Sequence, residues 1–413
     1  MEKKNFDLNS FIGMILLGGI LLYWMNTNKP DETNDSSTKN EQVQNVTENK
    51  INSTVTNSPV FENDSLTKLA LTNKLGAFAQ SAINGSEGTT VLENELVKLV
   101  INNKGGQIIE AEIKNYKTYD SSPLYMIKDN NASFNINFGT TDNRILNTKD
   151  LFFEPNISKN GESTIVSMKL KVSESQFLEY RYELNPSEYL INFAVRSQGL
   201  STVINSSNTI NLDWSLTGYR HEKSIRTENT MYTEYYYKSE NDVDYFKADI
   251  EDNVNDLAWV AYKQHFFTSN LLTDTPFNSA TISATDLVKD EKIDTVFTKK
   301  FELKTPLVLT AGELNYNMKW FYGPSDYNVL RKNNNSMENI VPYGSGVFAF
   351  VKYINRHFLL PVFDFLRNNI ASMGMVILLL TLLIRLITSP ILYKSYLSGA
   401  KMKALKPEID RLK

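Results

Sequence analysis

Residues 374–392 read GMVILLLTLLIRLITSPIL, a run fit to cross a membrane except for the arginine at its centre. A fixed positive charge at that depth costs roughly 2.5–3.5 kcal/mol on insertion scales. An ionisable residue inside a span is by default a functional-site hypothesis. Thr381, Arg385, Thr388 and Ser389 are spaced i, i+4, i+7 and i+8, so they make a polar stripe on one helix face. A lipid-facing helix has no use for such a stripe; it belongs against a protein interior or a watery cavity. Arg385 lies about 13 Å along the helix from Lys394, and snorkelling recovers only part of that distance. Two readings stay open. The arginine pairs with an acid on another helix, or it is kept available for an acidic or polar ligand. Neither apolar run of this chain contains Asp or Glu, so a pairing acid must come from elsewhere.

Mean hydropathy (−0.32) and net charge (−4) describe a largely soluble chain. Those averages hide two hydrophobic runs at opposite ends of 413 residues, so the class is a membrane protein with a large soluble part. The pI near 5.7 argues against nucleic acid as a direct partner. With no cysteine, disulfides, thiolate-ligated zinc and a thiol nucleophile are excluded. Three histidines, His221, His265 and His357, are too few for a multi-histidine metal site. There is no Gly-rich phosphate loop, and no cofactor or metal is expected.

The first run, residues 11–25, is FIGMILLGGILLYWM. As a helix it spans about 22 Å, slightly short of a ~30 Å hydrocarbon core. Tyr23 and Trp24 sit where an aromatic belt belongs. No small-x-small cleavage site follows Met25, so an uncleaved anchor is favoured over a signal peptide. Beyond the second run, Lys394, Lys401, Lys403, Lys406, Arg411 and Lys413 outnumber Glu408 and Asp410. That bias puts both termini inside and residues 26 to about 345 in a periplasm-like compartment.

Residues 26–64 are polar and read as a disordered tether. Leu66, Leu69, Ala70, Phe78, Ala79 and Ile83 predict a short amphipathic helix broken near Gly76 and packed on the following domain. Period-2 alternation then dominates: Val166, Met168, Leu170, Val172; Leu178, Tyr180, Tyr182; Tyr189, Ile191, Phe193, Val195. Gly105-Gly106 punctuates two such runs. Many strands without long intervening helices predict a large antiparallel β-sandwich. A capped helix is expected from Asp326 to Lys332. From Val347, apolar residues step at helical spacing through Phe350, Val351, Ile354, Phe358, Val362, Phe365 and Leu366, with Lys352, Arg356 and Arg367 between them. This is an interfacial amphipathic helix that Pro361 should kink or divide; the alternative is a helix packed on the β-domain. The layout expected is an anchor (1–25), tether (26–64), periplasmic β-sandwich domain (65–340), interfacial helix (347–368), second span (371–392) and the start of a basic cytoplasmic helical region (393–413).

Residues 358–413, FLLPVFDFLRNNIASMGMVILLLTLLIRLITSPILYKSYLSGAKMKALKPEIDRLK, resemble the YidC membrane insertase family. Arg385, Pro390, Lys401-Met402, Leu405, Pro407 and Ile409 match that family's pattern of a span with an arginine, then a proline, then a basic helix. WVAYKQHFF (259–267) and WFYGP (320–324) are similar to segments near the end of its periplasmic domain. The resemblance implies a bacterial inner-membrane, multi-pass protein without catalysis. It would hold acidic or polar parts of incoming chains with Arg385, Thr381, Thr388 and Ser389 in a hydrophilic groove. Implied partners are nascent membrane proteins, the Sec translocon, the ribosome and membrane lipids. The family carries further spans, so the chain resembles its N-terminal part, and activity of these residues alone is not expected. Two other readings are a membrane-anchored, mutarotase-like carbohydrate protein using His221 (followed by Glu222) or His265, and a scaffold whose β-domain docks a translocon.

Overall fold

The computed structural model describes residues 65–344 and 349–411. The expected anchor at 1–25 and tether at 26–64 lie outside them.

The chain first forms a helix α1 (Ser65–Leu75), a 3-10 turn at Gly76–Phe78 and a helix α2 (Ala79–Asn84). Gly76 takes φ +57°, which is open to glycine at no steric cost and breaks the helix there. Half of the expected face docks: Phe78 and Ala79 are buried, as is Leu75, Ile83 packs against the core, and the Phe78 ring lies edge-on to Phe138 at 5.4 Å, whereas Leu66, Leu69 and Ala70 are exposed.

Four strands, β1 (Thr89–Glu93), β2 (Val97–Asn102), β3 (Ile108–Lys117) and β4 (Pro123–Ile127), make a first antiparallel sheet. Gly105 and Gly106 turn β2 into β3 at positive φ, and a Cβ on Gly106 would meet the Phe153 ring at 2.9 Å. The second sheet is built from β5 (Ala132–Gly139), β6 (Ile145–Asn147), β7 (Glu154–Asn160), β8 (Ser163–Ser173), β9 (Gln176–Leu184), β10 (Leu190–Gln198), β11 (Ile210–Tyr219), β12 (Glu234–Ser239), β13 (Asp242–Phe246), β14 (Ile250–Lys263), β15 (Phe267–Asp286), β16 (Phe297–Leu307) and β17 (Asn315–Pro324). Its order is β6-β5-β11-β16-β15-β17-β10-β9-β8-β7, with β14 on β15, and β12 between β13 and β14. The 20-residue β15 pairs with β17 along its first part (Leu271↔Trp320) and with β16 along its last (Ile282↔Leu303). It thereby joins the two layers of the sandwich.

The predicted alternation is what closes this core. Val166, Met168, Leu170, Leu178, Tyr180, Tyr182, Ile191, Phe193 and Val195 are all buried. Phe193 of β10 lies opposite Tyr182 of β9, the rings stacked at 4.8 Å. Phe134 of β5 meets Phe193 and Trp320 edge-on at 5.5 and 5.6 Å. Rings from one layer therefore interdigitate with rings from the other, the offset and edge geometries that aromatic quadrupoles favour.

Past β17, Asp326 caps helix α3 (Tyr327–Arg331) as expected, accepting bonds from the Asn328 and Val329 amides at 2.8 and 3.0 Å. Leu330, Met337 and Ile340 then bury against Tyr236, Trp259 and Phe321, forming a small second core on the outside of the sheet. The C-terminal helices follow: α4 (Ala349–Ile354), a π turn (Asn355–Leu359), α5 (Leu360–Asn369) and α6 (Met373–Arg411). Pro361 does not divide the helix. It lacks the N–H that would bond to His357, and the π turn, closed by Leu360 N–H on the Asn355 carbonyl, carries the helix past it.

Replacing Phe193 by Ala should lower unfolding free energy by about 3–5 kcal/mol. Ile157→Ala, on the exposed edge strand β7, should stay within about 0.5 kcal/mol. Urea titration followed by tryptophan emission compares them, and equal losses would contradict this assignment of the core.

Candidate functional site

Helix α6 runs unbroken for 39 residues, through both Pro390 and Pro407, about 58 Å at 1.5 Å per residue. Among its described side chains only Val376 is buried. Arg385 lies on this bare helix and forms no ion pair or side-chain hydrogen bond among the described residues. The stripe is less polar than its composition. Thr381 and Thr388 turn their hydroxyls back onto the Ile377 and Ile384 carbonyls at 2.7 and 2.8 Å, satisfying their donors within the helix. Arg385 and Ser389 are left with free donors. Sequence reasoning missed one further group. Pro390 has no N–H to give the Leu386 carbonyl, so an acceptor is freed one residue from Arg385. The signal was the i, i+4 spacing of Leu386 and Pro390.

Upstream, the amphipathic helix has two different sides. Phe350, Tyr353, Ile354, Phe358 and Phe365 are exposed. The polar side grips the end of the β-domain. Asn355 donates to the Tyr343 carbonyl at 2.8 Å, Arg356 to Asn339 Oδ1 at 3.2 Å, and Asn328 of α3 to Asp364 at 3.1 Å. The Arg356 guanidinium also lies 4.8 Å from the centre of the Tyr327 ring. The helix thus carries an exposed apolar face on one side and a polar clasp on the domain on the other.

The two histidines proposed for sugar chemistry fare differently. His221 is 3% exposed, and its Nε2 bonds the Tyr125 carbonyl at 3.0 Å. Burial lowers its pKa to about 4. His265 is sandwiched between the rings of Tyr232 (3.8 Å) and Phe266 (3.7 Å), with Nδ1 4.0 Å from Glu222. Burial, then the Lys263 charge, lowers its pKa. Beneath them the Glu228 carboxylate accepts from the amides of His221 and Glu222, both at 3.0 Å. Burial raises Glu228 to about 7, against those hydrogen bonds. It holds the 220–233 loop rather than a substrate.

The model of the YidC periplasmic domain matches residues 89–355, nearly two thirds of the chain. The chain belongs to the YidC family. A second family model, the 60Kd inner membrane protein, matches residues 365–413, so the YidC assignment extends over the arginine-bearing span and to an inner-membrane family. Curated relatives named membrane protein insertase YidC include those of Parabacteroides distasonis and Porphyromonas gingivalis, each 30% identical over 98% of this chain and 66% of the relative. The chain thus spans just under two thirds of their length. Similar solved structures include an active YidC insertase with its first transmembrane domain resolved (12% identity, TM-score 0.32, 79% of this chain and 61% of that one) and a galactose mutarotase-like protein of Lactobacillus casei (13%, 0.35, 57% and 100%).

The YidC periplasmic domain here carries two checkable devices. His221, depressed to about 4, withdraws stability as pH falls from 6.5 towards 4, because only the unfolded chain takes the proton. Glu228, raised to about 7, adds stability as pH falls from 7 to 4.5, because the native carboxylate takes the proton first. Between pH 6.5 and 4.5 the two offset. Glu228→Gln keeps an amide-accepting oxygen but removes the titrating carboxyl, so stability should fall by about 1.4 kcal/mol for each unit that pH drops in that window, measured by urea midpoints. A pH slope unchanged from the parent protein would contradict the pairing. For the clasp, Arg356→Ala should speed hydrogen exchange in residues 327–340 by about tenfold, the loss of a cation–π and hydrogen-bond contribution of ~1.4 kcal/mol. Unchanged exchange there would show that the small second core holds the segment alone.

Proposed function

We propose that this chain works in membrane protein insertion, as part of an insertase that also acts as a chaperone and performs no catalysis. The observation that carries the reading is Arg385: a permanent cation, without a partner among the described residues, on a helix otherwise fit for lipid. Guanidinium stays charged at any physiological pH, so it needs water or an acidic guest. In this reading Arg385 and Ser389 hold water in one leaflet and draw in the acidic or polar flank of a nascent protein. Thr381 and Thr388 line the same stripe with donors already engaged. The guest's apolar segment then leaves for lipid, which supplies the driving force.

The topology that fits is periplasmic residues 65–340, an interfacial helix at 347–368, a span at 371–392 and a basic cytoplasmic helix from 393. From Met373 to Lys394 is about 31 Å, one hydrocarbon thickness. The rest of α6, with Lys394, Lys401 and Lys403, then projects into the cytoplasm and could meet the ribosome. An amino terminus on the cytoplasmic side and docking of the β-domain on the Sec translocon complete the reading.

Arg385→Ala in the full-length protein, in cells depleted of their own insertase, should cut insertion of acidic-tailed substrates about tenfold, as for loss of a ~1.5 kcal/mol charge-assisted contact. Arg385→Lys should retain most of it. Normal insertion of every acidic-tailed substrate by the alanine variant would end the charge role.

A further inference from the structure

Large apolar side chains are exposed at the end of the β-domain where β17 releases the chain. They are Tyr116 (41%), Tyr119 (44%), Phe266 (55%) and Met231 (57%). Contacts join them into one patch. Tyr116 lies edge-on to Phe267 at 5.1 Å. Phe266 stacks on His265, and His265 on Tyr232, the neighbour of Met231. The Tyr119 amide bonds the His221 carbonyl at 3.0 Å. A cleft of about 370 Å³ opens between Tyr116, Phe266 and Pro324, and the Ser325 hydroxyl lining it has no hydrogen-bond partner.

The charges around this patch are unequal in availability. Lys117, Lys223 and Arg226 are exposed, and the Arg220 guanidinium sits 4.6 Å from the centre of the Tyr119 ring. None of the four forms an ion pair among the described residues. The nearby acids are engaged: Asp120 by Thr118 and the Ser122 amide, Asp326 as the cap of α3, and Glu222 beside His265. These three acids keep their charge, so in a chain of net charge −4 the four cations outnumber them and the edge is locally cationic around exposed rings. Aromatic rings with Lys and Arg beside them are the composition that settles at the headgroup level of a bilayer.

Position argues for the same occupant. The Ser325 amide donates to the Phe266 carbonyl at 2.7 Å, tying the patch to the exit strand. The next residue caps α3, and α3 holds Asp364 of the amphipathic helix through Asn328. The patch is therefore continuous with the segment that delivers the chain to α6.

We propose that this aromatic and cationic edge rests on the periplasmic surface of the bilayer, its rings at headgroup depth and its cations on anionic lipid phosphates. The proposal rests on the membrane placement of α6 and not on insertion activity.

Because the chain has no cysteine, single labels are clean. Phe266→Cys and Met231→Cys would each carry a bimane in the full chain, reconstituted in phosphatidylcholine with a minority of phosphatidylglycerol and spin-labelled lipids. Ile157→Cys on β7 is the solvent control and Leu382→Cys the span control. Shallow spin labels should quench positions 266 and 231 at least about twofold more than 157, and more salt should weaken that difference. Two results overturn the proposal while leaving the membrane reading intact, provided 382 is quenched. One is quenching at 266 and 231 equal to that at 157. The other is protection of both from aqueous iodide without lipid quenching, which means a protein covers the patch. If 382 is also unquenched, the membrane placement and the proposal fall together.

Discussion

A guanidinium cannot give up its water without a replacement, and this constraint at Arg385 sets what the rest of α6 requires of its surroundings. Moving it to the middle of a bilayer is costed at roughly 2.5–3.5 kcal/mol even on the more lenient scales. The helix around it offers little relief. Its two threonines spend their hydroxyls on their own backbone, leaving Ser389 and the Leu386 carbonyl as neighbours with spare hydrogen-bonding capacity. Whatever solvates Arg385 comes from outside α6, whether water, another helix or a guest chain.

The segments that lead to α6 are tied to the β-domain by short polar links. The Phe266 carbonyl takes the Ser325 amide, Trp259 donates its indole N–H to the Asn335 carbonyl at 3.0 Å, and Arg356 and Asn355 hold the 339–343 segment. Each is worth about 1 kcal/mol net. Their value lies in arrangement. They span the change from a sheet fixed by a large aromatic core to a helix whose other side is bare. The π turn serves the same end, since a helix broken at Pro361 would separate the clasp at 355–356 from the contact at Asp364.

Legibility followed the strength of the physical signal. The core strands were readable because β8, β9 and β10 bury one side and expose the other, so burial imposes period two on the sequence. The β15 strand, NLLTDTPFNSAT at its centre, was not readable in that way. It passes between layers, and the face it buries changes along its length. The Asp326 cap was visible as a short acid ahead of an apolar helix. The docking face of α1 and α2 was readable in its second half, where Phe78, Ala79 and Ile83 pack as expected, and not in its first, because the break at Gly76 leaves Leu66 and Leu69 outside. In the span, the stripe could be read from spacing alone, but the bonds of Thr381 and Thr388 depend on rotamers that spacing does not specify. His221 looked like a candidate base because it precedes Glu222; its neighbour in space is instead Glu228, seven residues on.

Pro390 shows why the stripe and the proline belong together. A proline within a helix normally weakens it by about 3 kcal/mol, from a lost hydrogen bond and a ring clash with the carbonyl four residues back. In hydrocarbon the freed carbonyl of Leu386 carries a further desolvation penalty unless water or a neighbouring group reaches it. Next to Arg385 the same supply would serve both, because a depth at which a guanidinium is hydrated is also one at which a carbonyl can be. The arginine and the proline therefore impose one requirement. Each would make the other tolerable, and together they call for water or another polar group only in the half of the helix nearer Lys394. The residues before them, 375–380, are MVILLL, with no polar side chain to draw that water further.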